Sequence, residues 1–344
     1  MRTPGHARMR RGRAEPASYE PARSLRKASL HGLLACALIA SLAACGGSDG
    51  SANSGAADSN TTGTQTPPTV SISAPSAGTP PAAAAVGYQT QTFGPAVTLG
   101  ANWFNMNFFR PPTNAAQNGD GTVSISNDQS IASATRDTSM PQQWRGMAFG
   151  GGAYFEAVLH FSNADDSTLT SWPAFWGSDI ENVSQNAVTE LTQWSGQPEG
   201  FGNWIETDFF EFDRHSVSEY GIQIHNWYGY HGQPKDVLAY GQPVRVAAGF
   251  KWSDSHKYGY LWVPATATTR GYAMAFMDDV QMGATIYWDQ YDPEAPPPPQ
   301  PGTTAFSVVD RRHLILIIQT DPHNPMTIET VTVWQASDRD NITQ

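Results

Sequence analysis

Four carboxylates, Glu206, Asp208, Glu211 and Asp213, stand among apolar and aromatic residues in N-W-I-E-T-D-F-F-E-F-D, residues 203–213. Paired carboxyl groups can divide labour, one ionised as nucleophile or base and the other protonated as acid. Side chains alternate faces along a strand, so Trp204, Glu206 and Asp208 share one face. Glu211 lies an odd number of steps beyond Asp208 and points the other way. One extra residue at Phe209-Phe210, a β-bulge, returns Glu211 to the face of Glu206. Ile205, Thr207 and one of the two Phe residues then face the core. Glu206 and Glu211 are expected roughly 13 Å apart at their Cα atoms. Side chains leaning together on a concave sheet bring their carboxyls to about 5 Å, the separation of a retaining glycosidase pair. Asp208, between them, can hold a proton or a hydrogen bond and keep the outer two electrostatically distinct. Asp213 joins this face if the alternation continues; otherwise it is a solvated surface charge. The plain alternative for the whole stretch is a charged outer sheet face.

The elements around this stretch read as short strands. The chain has 344 residues, 11% of them aromatic and only 15% charged, with 31 Gly, 25 Pro and 11 Trp. That composition excludes a helical bundle and fits a turn-rich β protein. Residues 153–161 and 220–225 alternate apolar with polar, and residues 244–250 and 258–263 are further strand candidates. H-L-I-L-I-I, 313–318, is a continuous apolar run, as in a strand covered on both faces. T-I-E-T-V-T-V-W, 327–334, is another alternating strand. One weak helical candidate spans Asn186 to Trp194, and A-P-P-P-P-Q-P, 295–301, reads as a stiff extended loop. Many short strands with frequent turns predict an all-β sandwich in one domain.

The N-terminal part carries an address. Eight Arg and Lys residues precede the apolar run L-H-G-L-L-A-C-A-L-I-A-S-L-A-A. That run is too short to span a membrane and fits an export signal. It ends at Leu42-Ala43-Ala44-Cys45-Gly46, which resembles a bacterial lipobox. The resemblance implies cleavage before Cys45, acylation of its sulfur and an outer-membrane or cell-surface location; ordinary secretion or a periplasmic location is the alternative. Residues 1–44 then form a signal peptide. Residues 45–88, rich in Gly, Ser, Thr, Ala and Pro, form a flexible tether. The globular part is expected at 89–336, with a tail at 337–344. Cys36 and Cys45 are the two cysteines, so no disulfide is expected in the globular part. Residues 1–44 hold 8 basic and 2 acidic residues of the 20 and 31 in the chain, leaving 12 and 29, a net charge of −17. Such a charge disfavours nucleic acid as a partner.

Several segments, taken in order, resemble glycoside hydrolase family 16 in its laminarinase-like form. E-T-D-F-F-E, 206–211, resembles the family's bulged E-x-D-x-x-E signature. G-A-Y-F-E-A at 152–157, W-P-A-F-W at 172–176, H-K-Y-G-Y-L-W at 256–262 and the closing strand 327–335 resemble its flanking strands. F-M-D-D, 276–279, resembles its F-x-D-G turn with Asp279 where Gly is usual. Thr207 stands where an aliphatic residue is usual, and Glu329, Thr330 and Thr332 where Asp, Tyr and Arg are usual. The resemblance implies a concanavalin A-like jelly-roll sandwich of two curved antiparallel sheets, with an open sugar cleft. By motif position it implies Glu206 as nucleophile, Asp208 as its assistant and Glu211 as general acid/base. Glu211 must then start protonated, and a raised pKa is expected for it.

Four aromatic side chains are candidate substrate contacts. Trp176, Trp204 and Trp227 are either platforms for sugar C–H faces or core tryptophans. His225 either hydrogen-bonds near the cleaved sugar or is structural, and His256 is read as structural. Asp165-Asp166 and Asp278-Asp279 suggest a calcium site less than they suggest solvated turn charges. No metal-ligand cluster and no cofactor are expected. The expected activity is retaining endo-hydrolysis of a β-linked polysaccharide by a monomer, with β-1,3-glucan the first candidate. A transglycosylase, or a surface-tethered glycan-binding protein without activity, is the alternative.

Overall fold

The computed structural model describes residues 78–108, 112–162, 172–183, 201–212, 218–230, 236–289, 303–322 and 324–344. The lipobox with Cys45, the helical candidate 186–194, the loop 295–301, Asp165-Asp166 and Asp213 lie outside them.

The architecture is the expected all-β jelly-roll sandwich, built from curved antiparallel sheets. Strands are numbered in chain order. The first sheet runs β15 (Val280–Trp288), β14 (Gly271–Met277), β13 (His256–Val263), β8 (Ala153–Phe161), β17 (Met326–Gln335), β4 (Val123–Ile125) and β3 (Ala116–Gln117), with β1 (Thr90–Phe93) also on β17. The second runs β12 (Asp236–Arg245), β11 (Glu219–Tyr230), β10 (Phe201–Glu211), β9 (Ala174–Asp179), β16 (Leu314–Gln319), β5 (Ser130–Ala132) and β2 (Phe104–Asn105). A small third sheet comprises β18 (Ile342–Thr343), β7 (Trp144–Ala148) and β6 (Ala134–Arg136). Among the described residues, no helix is long and apolar enough to cross a membrane.

Side-chain parity builds the core. In β8, Ala153, Phe155, Ala157, Leu159 and Phe161 all point between the two large sheets. The apolar run of β16 is covered on both faces, as its sequence requires. Leu314, Leu316 and Ile318 enter the main core, while Ile315 and Ile317 enter a second cluster under the third sheet with Trp144, Ala148 and Trp176. The third sheet thus caps the outer face of β9 and β16 and leaves β10 to β12 uncapped by it.

The β-bulge lies where the parity of the sequence demands one. Asp208 pairs with Gln223 and Glu211 with Gly221, so three steps on β10 face two on β11. The same extra residue appears against β9, where Asp208 opposes Trp176 and Phe210 opposes Phe175. One expectation is corrected here: both Phe209 and Phe210 are buried, not one. The bulge turns the two successive side chains to the core side. Phe209 stacks on Tyr260 at 4.3 Å and Phe155 at 5.3 Å, and Phe210 meets Tyr258 at 4.5 Å. Gly177 on β9 makes room for this: a Cβ there would lie 3.1 Å from the Phe209 ring and 3.0 Å from the Thr207 hydroxyl. Thr207 is buried beside it, so the smaller side chain replaces an aliphatic one without leaving the core face.

Three further expectations shift. The strand expected at 244–250 ends at Arg245. Gly249 adopts φ +81°, a turn forms from Ala247 to Phe250, and the Phe250 ring stacks on His256 at 4.0 Å. The tether expected to reach residue 88 ends earlier. Pro81–Ala85 form a short helix, α1, with Ala83 fully buried, and the Tyr88 hydroxyl donates to the Trp262 carbonyl at 3.0 Å. At the other end, Ile342–Thr343 pair with β7 rather than trailing as a tail.

The Met277–Val280 hairpin explains Asp279. Both Asp278 and Asp279 have positive φ, 50° and 67°, as a two-residue hairpin turn requires and as Asp tolerates better than most residues. Asp278 accepts from the Lys257 backbone N–H and lies 2.7 Å from His256 Nδ1, and Asp279 pairs with Lys257. Asp279 is ion-paired and Asp278 is hydrogen-bonded, and His256 serves the turn.

Truncating either bulge phenylalanine removes a large ring from between the sheets. Phe209→Ala and Phe210→Ala are each expected to lose about 3–5 kcal/mol, lowering Tm by about 2–4 °C per kcal/mol. Val280→Ala, at a side chain 64% exposed, is expected to stay within about 0.5 kcal/mol of wild type. Calorimetric scans of the three variants check this, and equal losses at all three positions would remove the bulge from its structural role.

Candidate active site

Residues directly opposite one another in antiparallel strands share a face. Along β10 and β11 the pairs are Trp204 with Trp227, Glu206 with His225, Asp208 with Gln223 and, beyond the bulge, Glu211 with Gly221. On the other side β9 contributes Ser178 opposite Glu206, Trp176 opposite Asp208 and Ala174 opposite Glu211. The bulge therefore assembles Glu206, Asp208 and Glu211 on the face of the second sheet that points away from the core.

Each carboxyl has its own surroundings. The Trp227 indole N–H donates to Glu206 Oε2 at 2.7 Å, and the Gln223 amide donates to Glu211 Oε2 at 2.6 Å. Asp208 is 2% exposed, and its Oδ2 lies 3.3 Å from His225 Nε2. Burial pushes the Asp208 carboxyl well above the usual range, and the neighbouring Glu206 charge pushes it further. Burial also raises Glu206, while His225 and the Trp227 N–H pull it back down. Burial lowers His225, against the pull of Glu206. Burial thus disfavours two charges on this pair, and Asp208, raised further by the Glu206 charge, is the member that more strongly favours its protonated form.

The aromatic candidates separate. Trp204 and Trp227 stack at 5.8 Å with their planes 13° apart, and His225 stacks on Trp227 at 5.7 Å. Both tryptophans keep part of their surface exposed. Trp176 is 8% exposed and packs with Ile315 and Ile317 in the cluster under the third sheet, so it offers no open ring face.

Beyond Glu211 the face changes character. Glu219, Gly221, Gln223, Gly241 and Pro243 line a concavity of about 240 Å³. Gln223 was not among the candidates read from sequence, although the alternation of Y-G-I-Q-I-H puts it on the face of His225. A second buried polar cluster also escaped the sequence reading. On the core side of β9, Asp179 is raised to about 8 by burial, against the pull of Arg312 at 3.4 Å; Glu181 lies 2.5 Å from His313. Among the described residues, no group of three or more His, Cys, Asp or Glu side chains is arranged to hold a metal ion.

No family model matches the chain, and no curated protein sequence matches it. Among solved structures it is similar to an endo-1,3-beta-glucanase from Streptomyces sioyaensis, at 17% identity over 72% of this chain and 97% of that one, TM-score 0.43. It is also similar to a glycoside hydrolase family 16 endo-glucanase from Bacteroides ovatus, at 14% identity over 64% and 84%, TM-score 0.35. A lectin from Bauhinia forficata in complex with GalNAc matches at 6% identity over 74% and 99%, TM-score 0.34.

The raised Asp208 has a consequence for stability. A carboxyl whose folded pKa lies above its unfolded value stabilises the fold fully below the unfolded value, near 3.9 for Asp, and that contribution is lost as pH rises through the folded value. Asp208→Asn removes the loss. Its Tm is expected to gain on wild type steadily from about pH 4 upward, with little difference below. A gap that does not change with pH would mean that Asp208 is ionised in the folded protein.

Proposed function

We propose that this protein is a retaining glycoside hydrolase that cuts β-linked polysaccharide chains internally, with β-1,3-glucan the first substrate to try. One observation carries the reading: the bulge sets Glu206 and Glu211 on one open face, each with a different hydrogen-bond donor, and puts a deeply buried Asp208 between them. The ordered family 16-like segments of the sequence support the same assignment.

In this mechanism Glu206 attacks the anomeric carbon as the glycosidic C–O bond breaks, and Glu211 gives its proton to the departing oxygen. Glu211, now ionised, takes a proton from water, and the resulting hydroxide-like oxygen displaces Glu206 from the glycosyl-enzyme. Two inversions return the original anomeric configuration. The Trp227 N–H holds the reactive oxygen of Glu206 in place. Neutral Asp208 lets Glu206 carry the only negative charge of the pair. The stacked Trp204 and Trp227 offer ring surface to sugars on the Glu206 side, and the concavity beyond Glu211 gives the leaving sugar room. A sugar hydroxyl in place of water would make the same steps a transglycosylation.

A lipid on Cys45 would hold this domain at a membrane through the tract that follows. Metabolic labelling with a fatty acid tests this: label on wild type and none on Cys45→Ser is expected, and an unlabelled wild type would point to simple secretion.

Glu206→Gln is expected to lower kcat by at least about 10⁴-fold on whichever glucan wild type cleaves, while substrate retention on a polysaccharide gel persists. Because burial raises Glu206, the acid limb of wild-type kcat/KM should lie above the ordinary Glu value, near 4.3. Equal release of reducing ends by wild type and Glu206→Gln across β-glucans and galactans would leave a glycan-binding protein instead.

A further inference from the structure

Two glycines flank Gln223 in the interior of strands, at positions where nothing in the backbone asks for glycine. Neither Gly221 nor Gly241 has positive φ. Glycine weakens a strand interior and marks close approach of another group. The group here is the Gln223 side chain. A Cβ on Gly221 would stand 3.2 Å from Gln223 Nε2, and one on Gly241 would stand 3.1 Å from its Cγ and 3.2 Å from its Oε1. The two bare positions let the side chain lie along the sheet, with its amide donating to Glu211 Oε2 at 2.6 Å.

We propose that Gln223, cradled by Gly221 and Gly241, is a positioning residue that holds the Glu211 carboxyl in line through both of its protonation states. This rests on the reading of Glu211 as acid/base. An acid/base group must be protonated when the glycosidic bond breaks and ionised in the glycosyl-enzyme. A Lys or Arg partner would serve the ionised state alone. An amide serves both: its N–H donates to the carboxylate, and after a half-turn its carbonyl accepts from the carboxylic O–H.

The sign of the effect follows. The contact present in the structure is the N–H donated to the Glu211 carboxyl oxygen at 2.6 Å, so its loss costs the ionised form more than the protonated one and raises the Glu211 pKa. Other charges on this face surround the pair and stay constant in the test. They are Glu206 and Asp208 on β10, His225 and Glu219 on β11, and Arg245 on β12, which is paired with Glu219 at 3.5 Å. On the β9 side the partners of Asp208 and Glu211 are Trp176 and Ala174, which do not titrate.

Gln223→Met keeps an unbranched side chain and removes the donor. It is expected to lower kcat roughly 10- to 100-fold with KM little changed, and to move the basic limb of kcat/KM to higher pH. Gly241→Ala pushes a methyl against Gln223 and should shift the same limb in wild type, but not in the Gln223→Met background. A carbon-13 NMR titration of the Glu211 carboxyl reads the contact without any turnover, with Tm as a check of folding. A higher Glu211 pKa in Gln223→Met supports the inference even if no substrate is found. If wild type cleaves glucan and Gln223→Met keeps its kcat, basic limb and Glu211 titration, the positioning role is overturned while the hydrolase reading stands. An unchanged titration overturns it equally where no cleavage is found.

Discussion

Everything at the candidate site depends on one extra residue in β10. A regular strand would send Glu211 into the core and Phe210 to the open face, burying a charge and exposing a ring. The bulge reverses both errors at once. It is held from below by packing: Phe209 and Phe210 lie against Tyr260, Tyr258 and Phe155 of the opposite sheet. Gly177 on β9 leaves the gap that Phe209 occupies. The geometry of the carboxyls above the sheet is therefore fixed by aromatic contacts beneath it. Slippage of the register by one residue would have to expose two buried Phe rings, which is why so local a feature can be rigid.

With position fixed by packing, the chemistry is set by surroundings. Three carboxyls within six residues would repel one another if all were ionised. The site avoids this by giving each a separate environment. Asp208 is the most deeply buried, and burial favours its protonated form. Glu206 is met by an indole N–H, a donor that cannot accept and so favours the ionised form. Glu211 is met by an amide, which can do either. The order of these partners along β11, Trp227, His225 and Gln223, matches the order of the carboxyls along β10. Two neighbouring strands thus carry complementary polar patterns on one face, each backed by apolar residues on the other.

Much of this was legible in the sequence, for a physical reason. Period-2 alternation is strong in β8, β11 and β17, and a break in parity at Phe209-Phe210 can be repaired in few ways. The continuous run of β16 announced cover on both faces. Other features were not legible because they depend on contacts distant in sequence. That both bulge rings turn inward depends on Gly177. The burial of Trp176 depends on a third sheet whose strands are short and weakly patterned. β12 ends at Arg245 and a turn with Gly249 at positive φ follows, which apolar content at 244–250 conceals. Gln223 was passed over because a lone Gln on a strand looks like ordinary surface; its meaning lies in the glycines beside it, one of them on β12. The pair Asp179 and Arg312 is brought together only by the fold.

The open face is also polar along its length, and that polarity has a chemical sense. On the Glu206 side it carries stacked rings, Trp204 on Trp227, rigid surfaces that cost little entropy to present to a ligand. On the Glu211 side it carries Gly221, Gly241 and Pro243 around the Gln223 side chain and the Glu219–Arg245 pair. If the site cleaves a sugar chain as proposed, holding one half while the other departs, this asymmetry has a use. In the proposed reaction, strong contact on the departing side would slow release, while contact on the retained side would keep the covalently held sugar aligned for attack by water. The glycines that make room for the Gln223 amide also floor the space beyond Glu211. In the proposed mechanism, one choice of small residues would thus serve both the alignment of the Glu211 carboxyl and the room for a leaving group.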